Sequence, residues 1–318
     1  MRLGRFARYA WGVLGLNLGV ILWGAFVRAT GSGAGCGSHW PLCNGDVVPR
    51  TAQVETLIEF AHRATSGIAL LAVVGLFLWA RREYDPGHRV RAGATSSLLF
   101  IVIEALLGAG LVLFELVADN DTALRAFSMV AHLLNTFVLV TVLAITAWWA
   151  SGGPPIDLRA RPSRAVGLGV ALTALAFVGA TGAIAALGDT LYPSASLGDG
   201  LRDSFSSESH PLIQLRKYHP LAAVLVGIYV VALGRYLTRA TLSSPVRILA
   251  AMATGLYVSQ LLAGTVNIVL LAPVWLQLIH LLLADLLWIA VVLLAATSLA
   301  STSIERSEPI GPRLIVKS

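Results

Sequence analysis

Charge is what this sequence has least of. Aspartate, glutamate, lysine and arginine make up 13% of its 318 residues, about half the share found in a soluble globular chain. Hydrophobic residues take 56%, so no ordinary water-facing surface can be assembled. Most enzyme classes built on open sheets are thereby excluded, because hydrocarbon tolerates only backbones that satisfy their own hydrogen bonds. A net charge of +6 in such a chain does not indicate nucleic-acid binding; it is to be sorted by the side of the bilayer it occupies. Targeting signals are missing as well. Met1–Arg8 carries three arginines, but no small-residue cleavage site follows the first apolar run, nor is there a long Ser/Arg-rich transit segment, so the first span is expected to be retained.

What is there is apolar length. Eight stretches can each cross about 30 Å of hydrocarbon: Tyr9–Arg28, Glu59–Trp79, Ala94–Leu116, Arg125–Trp149, Val166–Leu187, His219–Tyr236, Ile248–Leu271 and Val274–Ser298. Connections are short except Ala29–Ile58 and Gly188–Tyr218. With eight spans, the lysines and arginines divide sixteen against seven between the two sides. The richer side includes Arg2, Arg306, Arg313 and Lys317, which predicts that both termini are cytoplasmic and the two long loops outside. The expected setting is a multi-pass protein of the plasma membrane.

The first four spans resemble the last four in order. Glu104 and Gly108 in span three match Gln260 and Gly264 in span seven, and Ala131-His132-Leu133-Leu134 matches Ile279-His280-Leu281-Leu282. Phe26-Val-Arg-Ala-Thr-Gly31 is paired with Phe177-Val-Gly-Ala-Thr-Gly182. Four spans per unit make the repeat parallel. The expected fold is all-α: two tandem four-helix bundles, residues 1–150 and 151–318, related by a pseudo-twofold axis along the membrane normal.

Four of the seven histidines, His62, His132, His219 and His280, fall on even-numbered spans. All lie in the outer half of the membrane, His132 and His280 about 10 Å in by helical rise. One such histidine is adequately explained by an interhelical hydrogen bond; four in registered positions are not, and an ionisable residue in a span is a functional candidate. Zinc normally wants three or four ligands, often with cysteine or carboxylate. Haem iron needs one or two, and helix bundles host such cofactors in their cores. Gly67, Gly108, Gly110, Gly227 and Gly264 would leave room for a flat macrocycle. Two haem pockets, one per half, are predicted.

The halves differ chemically. Glu59 precedes His62 by three residues and shares its helix face, where a carboxylate could polarise the ligand or act as a general base; snorkelling to water is the plainer alternative. The matching position is Arg216, so a reaction site is expected in the first half. Arg28, Arg63, Arg216 and Lys217 stand at outer span ends, where they are either carboxylate-binding groups for haem propionates or simple interfacial anchors; Arg125 reads as an anchor. Glu104 is the deepest charge and needs a partner. Asp285 is left without assignment.

The two cysteines, Cys36 and Cys43, both fall in the first outer loop. Their seven-residue offset is wrong for a thioredoxin-type pair and weak for a metal site, but it can close a disulfide outside the cytoplasm. Such a ring is worth roughly 2–3 kcal/mol on the chain-entropy model. A structural staple and a redox role both remain open.

Together these residues resemble the haem A synthase family over nearly the whole chain. The resemblance rests on the eight duplicated spans, the four histidines, the loop Thr30-Gly-Ser-Gly-Ala-Gly-Cys36 through Trp40-Pro-Leu-Cys43, and the run Ile58-Glu59-Phe-Ala-His62-Arg63. It implies oxidation of the C8 methyl of haem O to the formyl group of haem A by successive hydroxylations. Carried over, His62 and His132 ligate the substrate haem, Glu59 lies by the reacting methyl, and His219 with His280 hold a haem b that transfers electrons. The resemblance also implies haem O supply by a farnesyltransferase, delivery to a haem-copper oxidase with its assembly factors, and lipid as surroundings; a homo-oligomer is left open. Three departures stand out: His219-Pro220 replaces an expected His-Arg pair, the second outer loop lacks cysteines, and Glu104 stands where glutamine is expected. The rival reading is a quinol-linked dihaem cytochrome without haem-modifying activity. A haem transporter is disfavoured by outward-lying histidines, and a prenyltransferase by the lack of an aspartate-rich diphosphate motif.

Overall fold

A computed structural model describes residues 3–50, 53–240 and 243–301. Arg2, Arg306, Arg313 and Lys317, counted above for orientation, lie outside the described residues. Long apolar runs have one way of satisfying their backbone in hydrocarbon without a partner strand, and that is the α-helix. They form α1 (Arg5–Ala29), α2 (Val54–Glu83), α3 (Arg89–Leu113), α4 (Ala123–Ala150) and α5 (Pro162–Leu191). After α6 (Leu197–Phe205) and α7 (Pro211–Leu215) come α8 (Tyr218–Arg239), α9 (Ser244–Val269) and α10 (Val274–Ser298). Among the described residues eight spans are long and apolar enough to cross a membrane, α7 running into α8 as the sixth. The protein is an all-helical, multi-pass membrane protein; among the described residues only two isolated β-bridges occur.

The helices outrun most of the apolar stretches, because they continue through the interface where polar residues are tolerated: α2 begins at Val54, more than a turn before Glu59. Two stop early instead. The apolar runs to Leu116 and Leu271 overshoot α3 and α9, since Glu115 and Leu271 turn left-handed, with φ of 54° and 58°. Leu116 N–H then reaches Leu111 O at 2.8 Å and Ala272 N–H reaches Asn267 O at 2.7 Å, the six-to-one closure of a Schellman cap. No glycine marks either stop, so hydropathy alone passes over them. The same cap at matching places in both halves supports the duplication.

In the first half α1 packs on α2 and α4, α2 on α3, and α3 on α4; in the second α5 packs on α8 and α10, α8 on α9, and α9 on α10. The seam is made by α4 with α5 and α10, and α1 with α10 and α5. Exchanging α1 to α4 for α5, α8, α9 and α10 maps this set of contacts onto itself, as a twofold axis requires. At the seam Phe137 of α4 stacks on Trp288 of α10, with centroids 4.4 Å apart and planes at 15°. Trp288 Nε1 donates to Phe137 O at 3.0 Å and to Thr141 Oγ1 at 2.9 Å. Gly179 of α5 admits the Phe137 edge, for a Cβ there would lie 2.6 Å from Cε2.

Trp288→Ala removes the stack, the indole's hydrogen bonds and the packing at once, a loss of about 3–5 kcal/mol for a buried aromatic. It is expected to lower the thermal unfolding midpoint in lipid nanodiscs well below that of Leu221→Ala, a substitution on an exposed face.

Candidate functional site

The four span histidines are built alike. Each ring rests near a glycine of the preceding long helix, and for three of the four only a missing side chain lets the imidazole lie that close to the neighbouring backbone. A Cβ on Gly24 of α1 would lie 2.9 Å from His62 Cε1, and one on Gly182 of α5 would lie 2.9 Å from His219 Cε1. Gly264 of α9 stands in the same way to His280 at 3.0 Å, while a Cβ on Gly108 of α3 would make only an ordinary contact with His132, at 3.8 Å. The repeat is therefore registered by these contacts. Matching the two Ala-Thr-Gly strings misplaces it by seven residues: Gly31 lies beyond the end of α1 with φ of 70°, while the partner of Gly182 is Gly24. Gly227 is not open space either, since a Cβ there would meet the Tyr257 ring at 2.5 Å.

In the second half the His219 and His280 rings lie 6.3 Å apart, centroid to centroid. Two imidazole nitrogens each about 2 Å from a shared metal would put the centroids roughly 6 Å apart. Among the described residues the Nδ1 atoms of His62, His132 and His280 are buried without a hydrogen-bond partner, which is costly for a ring nitrogen. His219 Nδ1 meets Thr181 Oγ1 at 3.2 Å. Unpaired ring nitrogens on paired histidines are the chemistry that haem iron takes.

Glu104 and Gln260 occupy equivalent places beside the inner histidines. Gln260 Nε2 lies 3.3 Å from His280 Nε2, and Glu104 Oε1 lies 3.7 Å from His132 Nε2. The Glu104 carboxylate also accepts from Thr136 Oγ1 and, at 2.5 Å, from Asn135 Nδ2. Its partners are thus a hydroxyl, an amide and an imidazole. Asp285 is fully buried with both oxygens unpartnered among the described residues, and nothing in the structure explains it.

Glu59 is buried and both of its oxygens are taken. Oε2 accepts from Cys36 N–H at 2.8 Å, and Oε1 accepts from Arg63 Nε at 3.1 Å and Nη2 at 2.5 Å. Arg63 Nη1 goes on to His39 O and Leu42 O, both at 2.5 Å. Thr56 Oγ1 donates to Gly35 O at 2.7 Å, and Gly35 lies so near the α2 backbone that a Cβ would be 2.5 Å from Glu55 C. The first loop is thus clamped onto α2 one turn before His62. Cys36 and Cys43 form a disulfide, and both are buried, which shields the bond from any reductant in this conformation.

Arg216 does the corresponding work in the second half with the opposite charge. It donates to Asp189 Oδ1 at 3.0 Å, Ser204 Oγ at 2.8 Å, Gly200 O at 2.7 Å and Ser194 Oγ at 3.3 Å. Arg28 crosses the seam instead, donating to Ala186 O at 2.8 Å, Thr190 Oγ1 at 2.7 Å and Gln277 Oε1 at 2.9 Å. Lys217 lies over the Phe205 and Tyr218 rings. The three guanidiniums proposed from sequence for propionates are therefore largely committed to protein acceptors. Arg125 is buried rather than an interfacial anchor, and it holds the α3–α4 loop through Ala118 O and Asn120 O. In that loop Asp121 accepts from Tyr192 Oη at 2.7 Å, which holds its carboxyl below the usual range and ties the connections of the two halves together.

Over residues 7–292 the chain matches the family described as "Cytochrome oxidase assembly protein". The chain belongs to that family. This family member is 52% identical over 295 residues to the "Protoheme IX farnesyltransferase" of Thermus thermophilus, a match that covers 93% of the chain and 48% of the relative. It is 39% identical over 127 residues to the "Heme A synthase" of Alkalihalophilus pseudofirmus, and 41% identical over 127 residues to that of Halalkalibacterium halodurans. Each of these two matches covers 39% of the chain and 41% of the relative. The chain thus spans about half the length, or less, of the curated relatives it matches.

In this family member Glu59→Ala strips Cys36 N–H of its acceptor and leaves the Arg63 charge unpaired, a loss of about 3–5 kcal/mol for a buried pair. The loop is expected to open, so that a water-soluble phosphine reduces Cys36–Cys43 faster than in the unsubstituted protein. Mass shifts after maleimide alkylation measure the rate.

Proposed function

We propose that the protein is a haem A synthase, a membrane oxidoreductase that converts the C8 methyl of haem O to a formyl group by successive hydroxylations. The observation that carries this reading is the pair of glycine-backed histidine sites with unpaired buried ring nitrogens, of which only the first carries a carboxylate clamp one turn away. Family membership and the heme A synthases among the relatives support it. Residues 1–150 would hold the substrate and residues 151–318 the resident cofactor.

His62 and His132 bind and orient haem O in the first half. His219 and His280 hold haem b, which when bound supplies electrons one at a time. Thr181 fixes the His219 ring through Nδ1, and Glu104 and Gln260 steady the inner pair. Glu59 is the acid–base candidate, being the only group of the Cys36–Glu59–Arg63 clamp that can take up a proton near His62. The buried disulfide keeps that clamp rigid, so a structural role is the one proposed for it. Remaining N–H groups of Arg63 and Arg28, with the Lys217 ammonium, are the donors left for propionates.

The charge count supports cytoplasmic termini and haem sites facing outward in the plasma membrane. The farnesyltransferase relative is about twice the length of the region it shares with this chain. The activity it is named for fits a supplier of haem O that works beside this protein, with oxidase assembly factors downstream. One observation favours a second reading, a dihaem electron-transfer cytochrome: both oxygens of Glu59 are already engaged.

The decisive measurement is chromatography of haems extracted after the purified protein turns over haem O. Haem A or its hydroxylated precursor is expected. Haem O alone, from protein that retains both haems, overturns the synthase reading in favour of the cytochrome. The sites themselves are separable through their cradles. Gly182→Val should abolish haem b binding while His62 and His132 still bind added haem O, and Gly24→Val should do the reverse; titrations followed by the Soret band read both.

A further inference from the structure

The second long loop contains α6, whose surface is divided in three. At 3.6 residues per turn, Gly200 and Ser204 share the side facing the protein, where Arg216 holds the Gly200 carbonyl and the Ser204 hydroxyl. Asp199, Arg202 and Asp203 form a polar side, with Asp199 paired to Arg202 at 3.3 Å. The third side is an unpartnered apolar stripe at a spacing of four residues: Leu197, Leu201 and Phe205, exposed by 39%, 52% and 71%.

That stripe runs toward the exposed apolar face of a helix apolar enough to cross a membrane. Lys217 Nζ lies 5.2 Å from the Phe205 ring and 5.4 Å from the Tyr218 ring, and Tyr218 opens α8. From there Tyr218, Leu221, Leu225 and Ile228 form an exposed stripe down a membrane-crossing helix. We propose that α6 lies flat in the bilayer interface on the side of the Cys36–Cys43 loop, with Leu197, Leu201 and Phe205 seated among the acyl chains of that leaflet. Its three sides then meet protein, water and lipid, the arrangement of an interfacial amphipathic helix. Lys217 covers the apolar rings with its stem and places its ammonium at headgroup level. The lipid contact anchors the loop whose other side Arg216 fastens just before His219.

The test is spin labelling of the full-length protein in phosphatidylcholine–phosphatidylglycerol vesicles. The two native cysteines are paired with each other, so single cysteines introduced as L197C, L201C, F205C, R202C and D203C take the nitroxide. Collision with oxygen is expected to exceed collision with a water-soluble nickel chelate severalfold more at 197, 201 and 205 than at 202 and 203. Greater nickel access along the stripe overturns the proposal in favour of a helix standing in water. Dipolar broadening at 205 that disappears on dilution with unlabelled protein overturns it in favour of a second copy covering the stripe. Positions 202 and 203 report whether α6 has kept its fold, since both must stay water-accessible in either case.

Discussion

Hydrocarbon offers no hydrogen bonds, and this constraint governs the rest of the structure. It forces the apolar runs into helices, and it requires each polar side chain between them to find a partner in the protein. Glu104 is met by Thr136 and Asn135, Glu59 by Cys36 and Arg63, and Arg28 by groups on α5 and α10. Against that background the ring nitrogens of His62, His132 and His280, like the Asp285 carboxylate, are buried without a hydrogen-bond partner among the described residues. Only the histidines come in positions matched between the two halves, which is why they carry the proposed haem sites.

Duplication explains why the open groups come in two sets, and departures from symmetry explain how the halves differ. The Schellman caps at Glu115 and Leu271 and the glycines behind the histidines are repeated. The clamps on the two long loops are repeated in place but inverted in charge. Glu59 accepts from the Cys36 N–H of the first loop and from Arg63 on its own helix, while Arg216 gathers oxygen acceptors from the second loop and the end of α5. Both act just before the outer histidine of their half, so loop order and ring position are coupled in each. The disulfide reinforces only the first.

Much of this architecture was legible from residue pattern. Spans follow from hydropathy because burial in lipid is a property of local composition, and the four histidines stood out because charge and polarity are so scarce around them. Helix ends at Leu113 and Val269 were not legible, since a left-handed leucine or glutamate leaves no mark in composition. Nor was the register of α1 against α5, where the identical Ala-Thr-Gly strings misled and only the contact of Gly24 with His62 decides. The role of Arg28 was hidden because its partners lie more than 150 residues away along the chain.

By itself the sequence determined that the chain is a membrane protein of eight spans, with two span histidines in each run of four. These are matters of composition and periodicity, which neighbours along the chain settle among themselves. The tertiary structure decided which charges are free. Arg63, Arg216 and Arg28 look alike as basic residues at span ends, and Glu59 looks like an unoccupied carboxylate. Once the helices pack, the guanidiniums are largely spent on loop and seam, and Glu59 is bound to its own loop. What a charged group can offer a ligand depends on the partners it already has, and those partners come from distant parts of the chain.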